Sequence, residues 1–219
     1  YAISKAAAHW TCVNYREAYN LFISSGILFN HESVLRRQNF VTKKIVQSAV
    51  RIKNGSKEKL YLGNLDAVRD WGHSKDYVKA MYLIMQYGLP SDWVVSTGES
   101  HTVKEFVEGV FNYLEMDYQD HVVCTDDYKR PNEVPALCGD SSRIRAILNW
   151  KPEIGFKELI RKDFKAALEN DFAEENTICL ISQQPLTKSH IQLPCKHTFN
   201  YKPLYKEIYV QKIVRNIFE

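Results

Sequence analysis

The hydrophobic and polar positions along this 219-residue chain alternate between two periods. A stretch rich in alanine and aromatics, from about Lys5 to Tyr19, predicts a helix. The apolar run Leu21–Phe29 then predicts a buried strand of the kind found in parallel sheets covered on both faces. From Val41 to Lys53 the period returns to 3.6, with Ile45, Ala49 and Ile52 on one face, and Gly55 supplies the stop. Lys59–Leu62 predicts a short strand. Ser74 predicts the cap of a helix whose core face is Val78, Met81, Tyr82 and Met85. Trp93–Ser96 predicts another strand, and Thr102 with Glu105 forms a capping-box signature for a helix through Tyr113. Pro152 breaks the chain before a last amphipathic helix, Phe156–Leu168. Strands alternating with helices predict an α/β layer architecture.

Near Asp171–Asn176 the pattern gives way to an acidic, polar stretch, so a boundary is expected near Glu174, with 1–174 as the main body and 175–219 as a separate tail. Charge changes at the same place. Residues 1–175 hold 23 basic and 24 acidic side chains, and 176–219 hold 6 and 2. Six cations spread over the tail do not make a nucleic-acid patch. No apolar run reaches the roughly 18 to 20 residues that span a bilayer, and no secretory leader opens the chain, so a soluble cytoplasmic protein is expected. Cys12, Cys124, Cys138, Cys179 and Cys195 are odd in number and widely spaced, which suits reduced thiols better than a disulfide framework.

Tyr1 and Lys5 stand four residues apart at the start of the first helix, on one face. An ammonium at that spacing favours a phenolate, which can take a proton from a sugar hydroxyl as hydride leaves the same carbon. The pair alone is common in helices. The strings around it are not: YAISKAAAHW, ILFNHES from Ile27, LYLGNLDAVRDWGHSKDYV from Leu60, RPNEVPALCGD from Arg130, and LNWKP from Leu148. Taken in this order, over residues 1–172, they resemble the GDP-mannose 4,6-dehydratases, extended short-chain dehydrogenase/reductases. The resemblance implies the C-terminal part of a Rossmann-type fold with its substrate-binding subdomain. It also implies a redox-neutral lyase reaction, GDP-mannose to GDP-4-dehydro-6-deoxymannose and water, on the route to deoxyhexoses such as fucose or rhamnose. The implied cofactor is NADP and the implied assembly a homo-oligomer, dimer or tetramer.

By the same resemblance, Tyr1 is the base at the C4 hydroxyl and Lys5 its electrostatic and ribose-binding partner. His31 and Arg36 fall on the NADP-contacting loop, where a guanidinium suits the extra phosphate. Asn30, Lys44, Arg69, Arg130 and Glu133 fall on sugar-nucleotide positions: three cations for the diphosphate, Arg69 oriented by Asp66 and Asp70, and Glu133 for a ribose diol. The family's HESPLRGENFV reads HESVLRRQNFV here, so Val34, Arg37 and Gln38 replace proline, glycine and glutamate on a loop that also contributes subunit contacts in the family. No glycine-rich turn follows a first strand, and the family's Ser/Thr and glutamate that precede the tyrosine have no counterpart. The expectation is a truncated chain, open at its sheet edge and without dehydratase activity by itself.

The tail, with Cys179-Leu-Ile-Ser182 and Cys195-Lys-His197, resembles a truncated RING-type zinc finger of small α+β form. Cys179, Cys195 and His197 are three ligands at most, short of a tetrahedral site, so no bound metal is expected. The alternative reading of the whole is a non-catalytic fragment or fusion whose tail binds another protein.

Overall fold

The computed structural model of the chain describes residues 1–128, 133–162, 190–192 and 198–200. Two compact units divide it, Tyr1–Leu168 and Glu169–Glu219. In the second, β9 (His190–Gln192) pairs antiparallel with β10 (Thr198–Asn200). The expected boundary at 174, and Cys179, Cys195 and His197, lie outside the described residues.

The first unit is mixed α/β. It runs α1 (Ala2–Tyr19), β1 (Ser25–Leu28), β2 (Asn30–Glu32), α2 (Val41–Lys53), β3 (Leu60–Leu62), β4 (Val68–Arg69), β5 (Trp71–His73) and α3 (Ser74–Gln86). Then come β6 (Asp92–Val95), β7 (His101–Thr102), α4 (Val103–Tyr113), β8 (Val122–Cys124), α5 (Ser142–Leu148) and helical residues 156–162. Three strand pairs are parallel, β1 with β6, β2 with β5 and β3 with β8. β4 pairs antiparallel with β7.

Two apolar clusters hold the unit. One joins Ile45, Val46, Ala49 and Val50 of α2 to Phe106, Val107, Val110 and Phe111 of α4, closed by Leu60, Leu62 and Trp71. Each fully buried aliphatic side chain there contributes roughly 1.5–3 kcal/mol. The expected capping box starts α4: the Thr102 hydroxyl accepts from Glu105 N, and the Glu105 carboxylate accepts from Thr102 N. The second cluster gathers Tyr77, Ala80 and Ile84 of α3, Trp93 and Val95 of β6, Ile144 and Trp150.

That second cluster corrects two expectations for α3. Its core face is Asp76, Tyr77, Ala80 and Ile84, whereas Val78, Met81, Tyr82 and Met85 are exposed, Val78 and Tyr82 by more than 60%. The helix carries two apolar stripes, and the one that faces Trp150 is buried. Asp76 fixes the choice, because its carboxylate accepts from Glu153 N and Ile154 N (3.1 and 3.0 Å) and its carbonyl accepts from Trp150 Nε1 (2.9 Å). The N-cap is His73, not Ser74: His73 Nδ1 accepts from Lys75 N at 3.1 Å, while the Ser74 hydroxyl donates to the carbonyl of Glu32.

The apolar run Leu21–Phe29 is likewise not one buried strand. Regular pairing begins at Ser25, and Ile27 is 47% exposed because nothing among the described residues covers the outer side of β1. Among the described residues, no helix is long and apolar enough to cross a membrane, and Cys12, Cys124 and Cys138 are free thiols.

Candidate functional site

Tyr1 is the N-cap residue of α1 and is almost wholly exposed. Lys5 N donates to the carbonyl of Tyr1 at 3.0 Å, and Lys5 Nζ lies 5.7 Å from the centre of the Tyr1 ring. The helical spacing therefore does put ammonium and phenol side by side. Arg16 ties the far end of α1 to the sheet through a two-pronged contact with the Asp92 carboxylate, at 2.9 and 3.3 Å.

Asn30 and His31 open β2, whose parallel register sets Asn30 opposite Trp71, two residues beyond Arg69. The His31 ring stacks on Tyr77 (centroids 4.9 Å apart), and its Nδ1 lies 2.8 Å from the carbonyl of Phe29. Because a carbonyl only accepts, that contact puts a proton on Nδ1. Arg36 stacks its guanidinium on Phe40 at 3.5 Å and sits 3.0 Å from Glu32 through Nε. The Nε–H is buried and not aligned to any acceptor, so the contact with Glu32 is electrostatic rather than a formed hydrogen bond.

Arg69 is held differently from expectation. Its guanidinium donates to the carbonyls of Val68 and Val134 (2.7 and 2.8 Å) and meets Glu133 Oε1 at 3.2 Å. Neither neighbouring aspartate orients it. Asp66 is exposed. Asp70 is fully buried and accepts from Thr97 N, Thr97 Oγ1, Gly98 N and Gly139 N at 2.6 to 3.2 Å, so both its oxygens are committed to joining three segments.

Lys44 projects from α2 to the carbonyl of Tyr61 (2.6 Å) and over the Tyr128 ring, 4.2 Å from its centre. Burial pulls its ammonium below the usual lysine range. It lines a cleft with Ser48, Arg51, Lys59, Tyr61 and Tyr128. Tyr128, which meets Lys44, and Glu133, which meets Arg69, are five residues apart in sequence, no more than about 18 Å of chain. Arg130 lies between them, outside the described residues.

Of the sequence-predicted substrate residues, Arg69 and Glu133 meet directly, while Asn30 stands on β2 and Lys44 on α2. Tyr1 and Lys5 stand apart on α1, with no described contact to that group. Glu32 was not among the sequence candidates: 1% exposed, it accepts from Thr42 Oγ1 at 2.8 Å, and burial raises its carboxyl against the lowering effect of Arg36.

Comparison with known proteins places this arrangement. Residues 1–163 match the family described as GDP-mannose 4,6 dehydratase. GDP-mannose 4,6 dehydratase 1 of Arabidopsis thaliana is 53% identical over 161 residues, covering 74% of this chain and 45% of the relative. The Homo sapiens GDP-mannose 4,6 dehydratase is 46% identical over 186 residues, covering 77% and 50%. The chain therefore spans about half the length of the curated relatives it matches. Among solved structures, RMD from Pseudomonas aeruginosa complexed with NADPH superimposes with a TM-score of 0.69 at 22% identity, over 77% of this chain and 56% of that one. A dTDP-glucose 4,6-dehydratase from Streptomyces venezuelae with NAD bound gives 0.70 at 20%, over 80% and 52%. At these identities the structural likeness speaks for the fold.

Proposed function

The chain belongs to the GDP-mannose 4,6-dehydratase family, and we propose that it supplies the tyrosine–lysine pair and the sugar-nucleotide contacts of an enzyme converting GDP-mannose to GDP-4-dehydro-6-deoxymannose and water. The observation that carries the reading is that Glu133 meets Arg69 while Tyr128, five residues before it in sequence, meets Lys44. A diphosphate needs cations from separate segments, and Arg69 and Lys44 come from β4 and α2. Arg69 presents a planar fork already fixed by two carbonyls, so little freedom is lost on meeting a phosphate. Lys44, partly desolvated, meets an anion with less competition from water. Arg130 adds the third cation, and Asn30 and Glu133 offer hydrogen bonds to the sugar and ribose.

Tyr1 takes the proton of the C4 hydroxyl. Lys5 stabilises the phenolate and bonds the cofactor ribose. NADP, held by Lys5, His31 and Arg36, would supply hydride acceptance from C4 and hydride donation to C6, on either side of the loss of water across C5 and C6. Arg36, its Nε turned to Glu32 and its side chain part-exposed, would offer its terminal guanidinium N–H groups to a cofactor phosphate. His31 lies next to Glu32 on β2. The family resemblance also supports a cytoplasmic homo-oligomer for the intact enzyme. The acceptor of the C5 proton is not among these residues, so the 219-residue chain by itself turns over no GDP-mannose.

The test is a chimera in which residues 1–163 replace the matching stretch of the Arabidopsis relative. With GDP-mannose and NADP it should form the 4-keto product. A folded chimera with no turnover, or turnover by the purified 219-residue chain alone, refutes the respective half of the reading.

A further inference from the structure

A carboxylate is costly to bury unless a charge or several donors meet it, so a buried acid beside a cation needs a reason. Glu32 closes β2 at 1% exposed, opposite His73 in the register with β5, and its carbonyl accepts from the Ser74 hydroxyl at 3.1 Å. One carboxylate oxygen, Oε2, serves two partners. It accepts from Thr42 Oγ1 at 2.8 Å and lies 3.0 Å from Arg36 Nε. Thr42 is itself buried, in the first turn of α2. A glutamine would give Thr42 the same acceptor without the cost of burying a charge, and burial does push the Glu32 carboxyl up. The charge is explained by Arg36, not by Thr42.

Arg36 is held on a second side as well. Its guanidinium lies 3.5 Å from the centre of the Phe40 ring, and Phe40 is the N-cap residue of α2. Turn bonds shape the segment between them. Leu35 N donates to Ser33 Oγ at 3.2 Å, Arg36 N to the carbonyl of Ser33 at 2.9 Å and Phe40 N to that of Arg37 at 3.2 Å. With its Nε drawn to one acid and its face on one ring, a planar guanidinium is restrained in both plane and direction. An arginine ordered in advance gives up less side-chain freedom on meeting an anion. We propose that Glu32 and Phe40 are positioning residues that aim the terminal N–H groups of Arg36 at a phosphate of the cofactor. The inference rests on the assignment of Arg36 to NADP made above and adds to it, since both residues act through Arg36.

The experiment titrates NADPH, read by its fluorescence and without sugar nucleotide, into the chimera that carries residues 1–163 in the Arabidopsis relative. Arg36→Ala should weaken binding. Glu32→Gln, which keeps an acceptor for Thr42, should weaken it about three- to thirtyfold. The double variant should bind no more weakly than Arg36→Ala, because Glu32 reaches the cofactor only through Arg36. In Glu32→Gln the affinity for GDP should stay within about twofold. Phe40→Leu, at an exposed position, should reproduce the loss of NADPH affinity and decides the matter should Glu32→Gln fail to fold. Losses that add in the double variant, an unchanged NADPH affinity in Glu32→Gln, or a GDP affinity that falls with it would each overturn the assignment. A chimera that binds no NADPH overturns it together with the cofactor reading. A chimera that shows this cycle but forms no 4-keto product refutes the proposed reaction and supports the positioning role.

Discussion

Arg69 and Glu133, 64 residues apart in sequence, meet at 3.2 Å. In an enzyme carrying this chain, Arg69→Lys keeps the charge but loses the planar fork and its two carbonyl contacts. A charge-assisted hydrogen bond is worth about 1.5–3 kcal/mol, so KM for GDP-mannose should rise roughly ten- to a hundredfold. Steady-state kinetics on the chimera check this, and an unchanged KM removes Arg69 from the substrate site.

Tyr1→Phe in the same chimera deletes the proton acceptor without altering the ring. General-base contributions are about 10²–10⁴-fold, so kcat should fall by that factor with KM little changed. Equal losses in binding and turnover would point to a structural role.

The start of α3 should respond to pH. Burial holds the His73 imidazole below its usual range, outweighing Asp76, while Lys75 and Lys162 act with it. The folded state disfavours the protonated ring, and Nδ1 must be free of a proton to cap the helix. Stability from this group is present above the ordinary histidine value of about 6.5 and is lost as pH falls below it. His73→Asn keeps an acceptor at the cap and should flatten the decline. Urea midpoints between pH 5 and 7.5 distinguish the two curves.

Glu32 acts in the opposite sense. Its folded-state pKa is raised by burial, so its contribution declines as pH rises from the ordinary carboxyl range through the raised value. Glu32→Gln should lessen that decline. A steeper one, measured by the same midpoints, would mean that Arg36 outweighs burial.

Asp70→Asn leaves the size of the side chain unchanged but sets an amide where two oxygens accept from four donors. A destabilisation of about 2–4 kcal/mol is expected in chemical unfolding. Gly72→Ala should cost about 1–3 kcal/mol for a different reason, since its new methyl would lie 2.5 Å from Tyr77 Cε2 and 3.0 Å from Thr97 Cγ2.

Local chemistry was readable without coordinates wherever it is self-contained. The bounds of α2, the capping box of α4 and the side-by-side placement of Tyr1 and Lys5 depend on contacts within four residues, and on period alone. The family, too, was legible, because long strings in order carry it. What depended on distant partners was not. α3 offers two apolar stripes, and burial of Tyr77, Ala80 and Ile84 follows from Trp150 and the amides of Glu153 and Ile154, more than 70 residues away. Asp70 sits beside Arg69 in sequence yet turns to Thr97, Gly98 and Gly139, since a buried carboxylate needs several donors and only the folded chain assembles them. Arg69 then takes Glu133, a pairing that no spacing announces.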